Sequence, residues 1–360
     1  MIIDGHTHAS ARCEADWDFL GVAEHMKHEQ RILTGMRCKV KKMKDDSVVK
    51  DGWKTLWDES LLNSWDGRYE VNLRVAWEKD REYAVKFHPP IYVWEKEGEK
   101  YYADGPYVKK ILKAPPPELL LELMDKVGID RAVLQLPPVD LNKFFARVVH
   151  EYPRRFIGLC HIDEDVPYTK ENIEKLHIYV EELGLRGMYH EPLRDWDGYD
   201  NFHTDKFDPF WAEVESMGVP VNIGGPYHTE KIIPKLAELL KKFPKLTLVI
   251  TNGILPDYLK NGIPDVLSDV IKNYDVQTEI LPLIVDYGPK DELIRLLYDA
   301  FGASKIVWGS EFAAYEVVGP PFYPEKYVQY LEYIEKRCPY MSESDIELIH
   351  GDNLKRVYGL

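Results

Sequence analysis

The sequence predicts an α/β protein: one (β/α)8 TIM barrel over residues 1–360, with a long Trp/Tyr-rich insert after its first strand. Three observations lead there. The chain opens on an apolar run too short for anything but a strand. From about residue 115 onward, short β-type runs alternate with helical stretches at a spacing of roughly 25–35 residues, the size of a βα unit. No Gly-rich phosphate loop follows the first run, as an open doubly wound sheet would want.

The first strand leads from Met1-Ile2-Ile3-Asp4-Gly5 into His6-Thr7-His8. In extended chain, residues i and i+2 point to one side. His6 and His8 are therefore expected to project together from the strand's carboxyl end, with Asp4 on the same side but deeper, as a structural residue. Two imidazoles on one side begin a divalent-metal site. The competing reading is two unrelated histidines at a polar strand end.

Residues 9–114 interrupt the rhythm and are too many for a simple loop. They hold Trp53, Trp57, Trp65, Trp77 and Trp94 and many tyrosines. The runs 92–95 and 100–103 flank Lys96-Glu97-Gly98-Glu99, a hairpin signal. Because the insert leaves the carboxyl end of the first strand, it is expected over the barrel mouth as a lid with aromatic walls. An oligomer contact or a self-contained apolar patch competes with that reading.

The remaining strands are expected at 131–136, 156–161, 184–188, 219–223, 246–251, 276–280 and 305–308, which with the first makes eight. Helical patterns fill 118–127, 142–151, 169–183, 207–217, 230–243 and 291–301. Val127-Gly128-Ile129-Asp130 and Glu182-Leu183-Gly184 read as turns between them.

Composition narrows the function classes. A 360-residue chain with 45% hydrophobic content supports a large core. A formal charge of −15 argues against a nucleic-acid partner. No basic leader and no long apolar run is visible, so no membrane partner is expected and the cytoplasm is the expected location. Cys13, Cys38, Cys160 and Cys338 lie far apart without a Cys-x-x-Cys, which is neither a disulfide framework nor a zinc knuckle.

Several segments together resemble the amidohydrolase-related family (amidohydrolase 2), in the branch that contains aminocarboxymuconate-semialdehyde decarboxylase. They are Ile3-Asp4-Gly5-His6-Thr7-His8, the run 124–133, Tyr152-Pro153-Arg154-Arg155-Phe156-Ile157-Gly158, Phe207-Asp208-Pro209-Phe210-Trp211 followed by Gly218-Val219-Pro220-Val221, Trp308-Gly309-Ser310-Glu311-Phe312, and the closing run 352–360. The resemblance runs almost end to end, and order and spacing make it more specific than any one piece. It implies a metal-dependent barrel that cleaves C–C or C–N/C–O bonds of small carboxylated, often aromatic, molecules. It also implies a homodimer.

The departures matter as much. The family usually carries a metal-ligand histidine at the end of its fifth strand, where this chain has Gly224, and another histidine after the sixth, where it has Thr251-Asn252-Gly253. Glu311 stands for the eighth-strand aspartate. His6, His8 and Glu311 remain as a 2-His-1-carboxylate set, and a stable zinc site wants at least three protein ligands. The expected cofactor is a divalent cation, zinc first, with manganese or iron as alternatives. His190 is the first candidate for an additional ligand, with His228 and His161 behind it, each expected at the carboxyl face where barrel enzymes keep their chemistry. Glu311, His190, His228 and Arg186 are the candidate catalytic residues, Glu191 and Glu279 are further carboxylates that could point inward, and Arg186 and Arg194 are candidate clamps for an anionic substrate. Tyr189, Trp196 and Tyr227 would suit a planar ring. These residues support a metal-dependent lyase or hydrolase, decarboxylase-like, acting on a small carboxylated or carbonyl cyclic compound. A metal-independent lactonase or C–C hydrolase of the same superfamily is the alternative, and a non-catalytic ligand-binding barrel a further one.

Overall fold

The computed structural model describes residues 1–9, 39–56, 74–76, 91–104, 117–135, 141–162, 170–190, 201–224, 229–251, 258–281, 290–311 and 324–360. Its strands in chain order are β1 (Ile3–Thr7), β2 (Lys41–Lys42), β3 (Arg74–Ala76), β4 (Ile91–Lys96), β5 (Glu99–Asp104), β6 (Arg131–Leu134), β7 (Phe156–Cys160), β8 (Gly187–His190), β9 (Val221–Ile223), β10 (Leu248–Ile250), β11 (Val276–Ile280) and β12 (Ile306–Trp308). Strands β1 and β6 to β12 form one sheet in sequence order, with parallel pairing between neighbours. The sheet curls until its last strand meets its first: a Cβ added at Gly5 would sit 2.8 Å from the Trp308 carbonyl oxygen. Helices connect the strands, as parallel neighbours require. The (β/α)8 barrel expected from the sequence is the fold.

Two apolar layers hold it. Inside the barrel, Ile3, Val133, Ile157, Leu159, Tyr189, Val249 and Val307 pack with Leu354, Val357 and Tyr358. The last three come from the helix Asn353–Tyr358, which plugs the amino end of the barrel. Asn353 fastens that plug by donating to the carbonyls of Ala303 (2.8 Å) and Ile306 (2.7 Å) beside β12. Outside, the larger layer lies between strands and helices and includes Phe156, Met188, Phe210, Trp211, Leu248 and Trp308. Cys160 and Cys338 are free and buried, and burial pushes the Cys160 thiol up to about 12. Among the described residues, no helix is long and apolar enough to cross a membrane.

The expected bounds hold for β11, β7 ends one residue early at Cys160 and β6 two residues early at Leu134, and the helices Pro117–Val127, Leu141–Glu151 and Lys290–Phe301 fall within a residue of expectation. The fourth barrel strand does not start at 184. Gly184 takes φ 74 to end the preceding turn, and β8 begins at Gly187 and runs on through His190. Helices Asp265–Asn273 and Pro324–Arg337 were not expected.

Between β1 and β6 in the chain, the expected hairpin is β4–β5. Its two-residue loop, Glu97 (φ 54) and Gly98 (φ 76), has the paired positive φ that matches strand twist. Strands β2, β5, β4 and β3 form an antiparallel sheet of their own. Trp94 is buried there, stacked on Tyr101 at 6.0 Å and donating to Thr55 Oγ1 at 3.0 Å. The expected cover of aromatic residues over the mouth, with Trp57, Trp65 and Trp77, falls on positions outside the described residues.

Candidate metal and active site

The first strand carries an irregularity that builds the site. Ile3 belongs to the interior layer, and a Cβ at Gly5 would face Leu354 and Glu279. Plain alternation would then send Asp4 and His6 away from the interior. Asp4 does turn away, against Ser310. Its carboxylate accepts from the Ser310 amide (2.8 Å), the Ser310 hydroxyl and the His6 amide (3.1 Å). The pairing of β1 with β6 slips between Asp4 and Thr7, and His6 follows Gly5 inward. A Cβ on Gly309 would lie 2.7 Å from His6 Cβ and 2.4 Å from Glu279 Oε1. The expectation that Asp4 shares a side with His6 and His8 is thus corrected: the bulge re-aims the histidines and leaves Asp4 to join β1 to the segment after β12.

His6, His8 and Glu311 meet at the carboxyl end of the barrel. All three are buried, and one ligand atom from each lies within 4.8 Å of the others. The His6 and His8 rings stand 5.0 Å apart, edge to face. Glu311 holds φ 51, a left-handed conformation that costs a side-chain-bearing residue about 1–2 kcal/mol. Such strain persists where the surroundings enforce it.

The donor set fits a divalent cation. Protein ligands sit about 2.0–2.2 Å from zinc and so roughly 3.3–3.6 Å from one another in a tetrahedral set, which the three atoms here reach by closing in by no more than about 1.5 Å. The imidazoles are also set for the purpose. His8 Nδ1 faces the Gln135 carbonyl at 2.7 Å. A carbonyl only accepts, so Nδ1 carries the proton and the neutral ring offers Nε2. His6 Nδ1 lies 3.0 Å from Glu279 Oε2. A carboxylate and a carbonyl behind two histidines are the usual supports of metal-bound imidazoles. Glu279 is fully buried at 0% exposure, and burial pushes its carboxyl well above the ordinary range.

The other candidates separate by strand parity. Tyr189 belongs to the interior layer, whereas Met188 belongs to the outer one. His190 therefore faces outward, where its ring meets Phe202 at 5.3 Å and Trp211 at 5.5 Å. Among the described residues, the group that could hold a metal ion contains His6, His8 and Glu311 and does not include His190. Arg186 is exposed at the amino end of β8, the end away from the cluster, so the structure does not place it as a clamp. His228, Glu191, Arg194, Trp196, Tyr227 and Asn252 lie outside the described residues. Gly224 is buried where the Tyr189 phenol fills the space, since a Cβ there would meet Tyr189 Oη at 2.2 Å.

His161 is inside. Ile157 and Leu159 are interior, and His161 continues that side from β7. Its Nδ1 donates to the Tyr189 carbonyl (3.1 Å), and Asn142 clamps its backbone by two bonds of 2.7 Å. Gln135 is not among the residues expected at the site; it directly follows β6 and shares the inward side with Val133, a placement that alternation within 131–136 signals.

The comparisons bear on this site. The model of a family described as Amidohydrolase matches residues 3–360. No curated protein matches the sequence significantly. Among solved structures, a 5-carboxyvanillate decarboxylase from Novosphingobium aromaticivorans, complexed with manganese and 4-hydroxy-3-methoxy-5-nitrobenzoic acid, is similar at TM-score 0.59 and 14% identity, covering 100% of this chain and 96% of that one. A dihydroxybenzoic acid decarboxylase from Polaromonas, with manganese and the inhibitor 2-nitroresorcinol, is similar at TM-score 0.56 and 15% identity over 71% of this chain and 90% of its own. A probable 2-pyrone-4,6-dicarboxylic acid hydrolase from Acinetobacter baumannii, with citric acid bound, follows at TM-score 0.54 and 15% identity over 69% and 91%. At these identities the likeness is one of fold.

Proposed function

Because the chain belongs to the amidohydrolase family and is an enzyme of that superfamily, we propose that it is a divalent-metal-dependent decarboxylase of small aromatic acids. The observation that carries this reading is the buried grouping of His6, His8 and Glu311, with a carbonyl and a carboxylate set behind the two imidazoles. Two fold relatives contain manganese and nitro-substituted aromatic ligands, which makes manganese the first metal to try and zinc the second.

His6, His8 and Glu311 would hold the metal. When bound, a divalent cation supplies Lewis-acid stabilisation of negative charge on a substrate carboxylate or hydroxyl. The chain supplies the rest. Glu279 and the Gln135 carbonyl fix the two imidazoles. His161 holds its Nε2 inward because its Nδ1–H is committed to Tyr189. In the reaction, the bond from ring carbon to carboxylate breaks, the electron pair stays on the ring carbon, and CO2 leaves. His161, on the inward side of the barrel, is the proposed source of the proton that this carbon takes up.

The test is elemental analysis and CO2 release from hydroxybenzoates and carboxylated methoxyphenols, on protein prepared with manganese, zinc or iron. About one tightly held metal per chain and metal-dependent CO2 release support the reading, and His6→Ala is expected to lose both. Activity in protein that never holds metal would replace it with metal-independent hydrolysis. Metal-dependent ring opening without CO2 would replace decarboxylase by hydrolase.

A further inference from the structure

We infer that Gln135 binds substrate: its carboxamide NH2, held inside the barrel beside His8, donates to a carboxylate oxygen of the aromatic acid. This rests on the reading proposed above.

Position comes first. Gln135 is fully buried. Its backbone N–H bonds the Thr7 carbonyl (3.2 Å) and its carbonyl takes the His8 Nδ1 proton (2.7 Å), so it stands level with the metal-holding pair on the neighbouring strand. Orientation follows from a chain of hydrogen bonds. The Tyr358 hydroxyl lies 2.8 Å from Asn222 Oδ1, and an amide oxygen only accepts, so the phenol donates. Asn222 must then present its NH2, which it gives to Gln135 Oε1 at 2.6 Å. That bond commits the oxygen of Gln135 and turns its nitrogen the other way. The outcome is a buried amide nitrogen with two N–H groups and no acceptor among the described residues. A buried donor in that condition costs about 1–3 kcal/mol, whereas a methionine or leucine of similar volume would fill the space without it. A neutral donor is the suitable partner for a carboxylate here, because it adds no positive charge that would repel a cation held by His6, His8 and Glu311.

The test uses full-length, manganese-loaded protein and calorimetric binding of 2,6-dihydroxybenzoate and of resorcinol, the same ring without a carboxylate. Gln135→Met removes the donor. Gln135→Glu removes it while keeping the acceptor that Asn222 requires, and so serves if the methionine variant does not fold. Both are expected to hold manganese as the parent does, to bind the benzoate roughly 10- to 100-fold more weakly, and to leave resorcinol binding unchanged. Benzoate binding equal to the parent at equal manganese content would overturn the inference and leave the NH2 facing an ordered water. Loss of manganese in both variants would overturn it too, by making Gln135 a support of His8 alone. Parent protein that holds manganese but binds no benzoate would refute the aromatic-acid reading and this inference with it.

Discussion

At Glu311 a side chain and its backbone pull in opposite directions. The carboxylate completes the cluster with His6 and His8, while φ 51 would suit glycine better. Glu311→Gly is therefore expected to raise apo-protein stability by up to about 1 kcal/mol in urea denaturation while abolishing metal content and turnover. A variant that loses stability would show that the surrounding bonds outweigh the strain. Glu279→Gln replaces the carboxyl acceptor for His6 Nδ1–H by a neutral amide oxygen at nearly the same volume, and metal affinity measured against a chelator is expected to fall about 10- to 100-fold. The histidine pair was legible in sequence because His-x-His needs only local spacing. Gln135 and the pairing of Glu279 with His6 were not, since both depend on which strand face is inward and on neighbours 128 and 273 positions away.

Among the elements, β1 and β8 show how a small shift changes function. One slipped pairing between Asp4 and Thr7 turns His6 inward, and a strand that begins at Gly187 and not at 184 gives the inward place to Tyr189 and not His190. Period-two alternation was legible; its phase was not, because phase is set by a bulge and by the Gly184 turn. The wide turn Leu348–Asp352 carries a prediction of its own. His350 is buried with its ring 5.8 Å from Trp308, and burial lowers its pKa from 6.5 to about 4 although Glu335 lies 3.8 Å away. Its folded pKa is below its unfolded one, so the unfolded chain binds the extra proton between those values. Stability is retained above pH 6.5 and declines as pH falls towards 4, by up to about 3 kcal/mol for this group. His350→Leu is expected to flatten that part of the Tm-against-pH curve; an unchanged slope would assign the acid sensitivity elsewhere.

For the whole molecule, the barrel was legible from the alternation of elements, whereas its plug was not: a short closing helix has no periodic signal long enough to reveal which cavity it fills. Removing residues 353–360 takes Leu354, Val357 and Tyr358 out of the interior layer, at about 1.5–3 kcal/mol for each large apolar side chain. Circular dichroism is expected to show such a chain without a cooperative melt; a normal melt would make the plug dispensable. Tyr358→Phe is milder, with a loss of about 1 kcal/mol from the bond to Asn222. This arrangement also sets a timetable for biogenesis. Ribosomes add roughly 5–20 residues per second, so β1, with His6 in it and His8 just after it, waits tens of seconds for β12 and the plug to be made. Until then its apolar residues have no barrel to enter. Nascent chains stalled ahead of β12 should engage chaperones and hold no metal, and the catalytic centre should mature only after synthesis has passed the final helix.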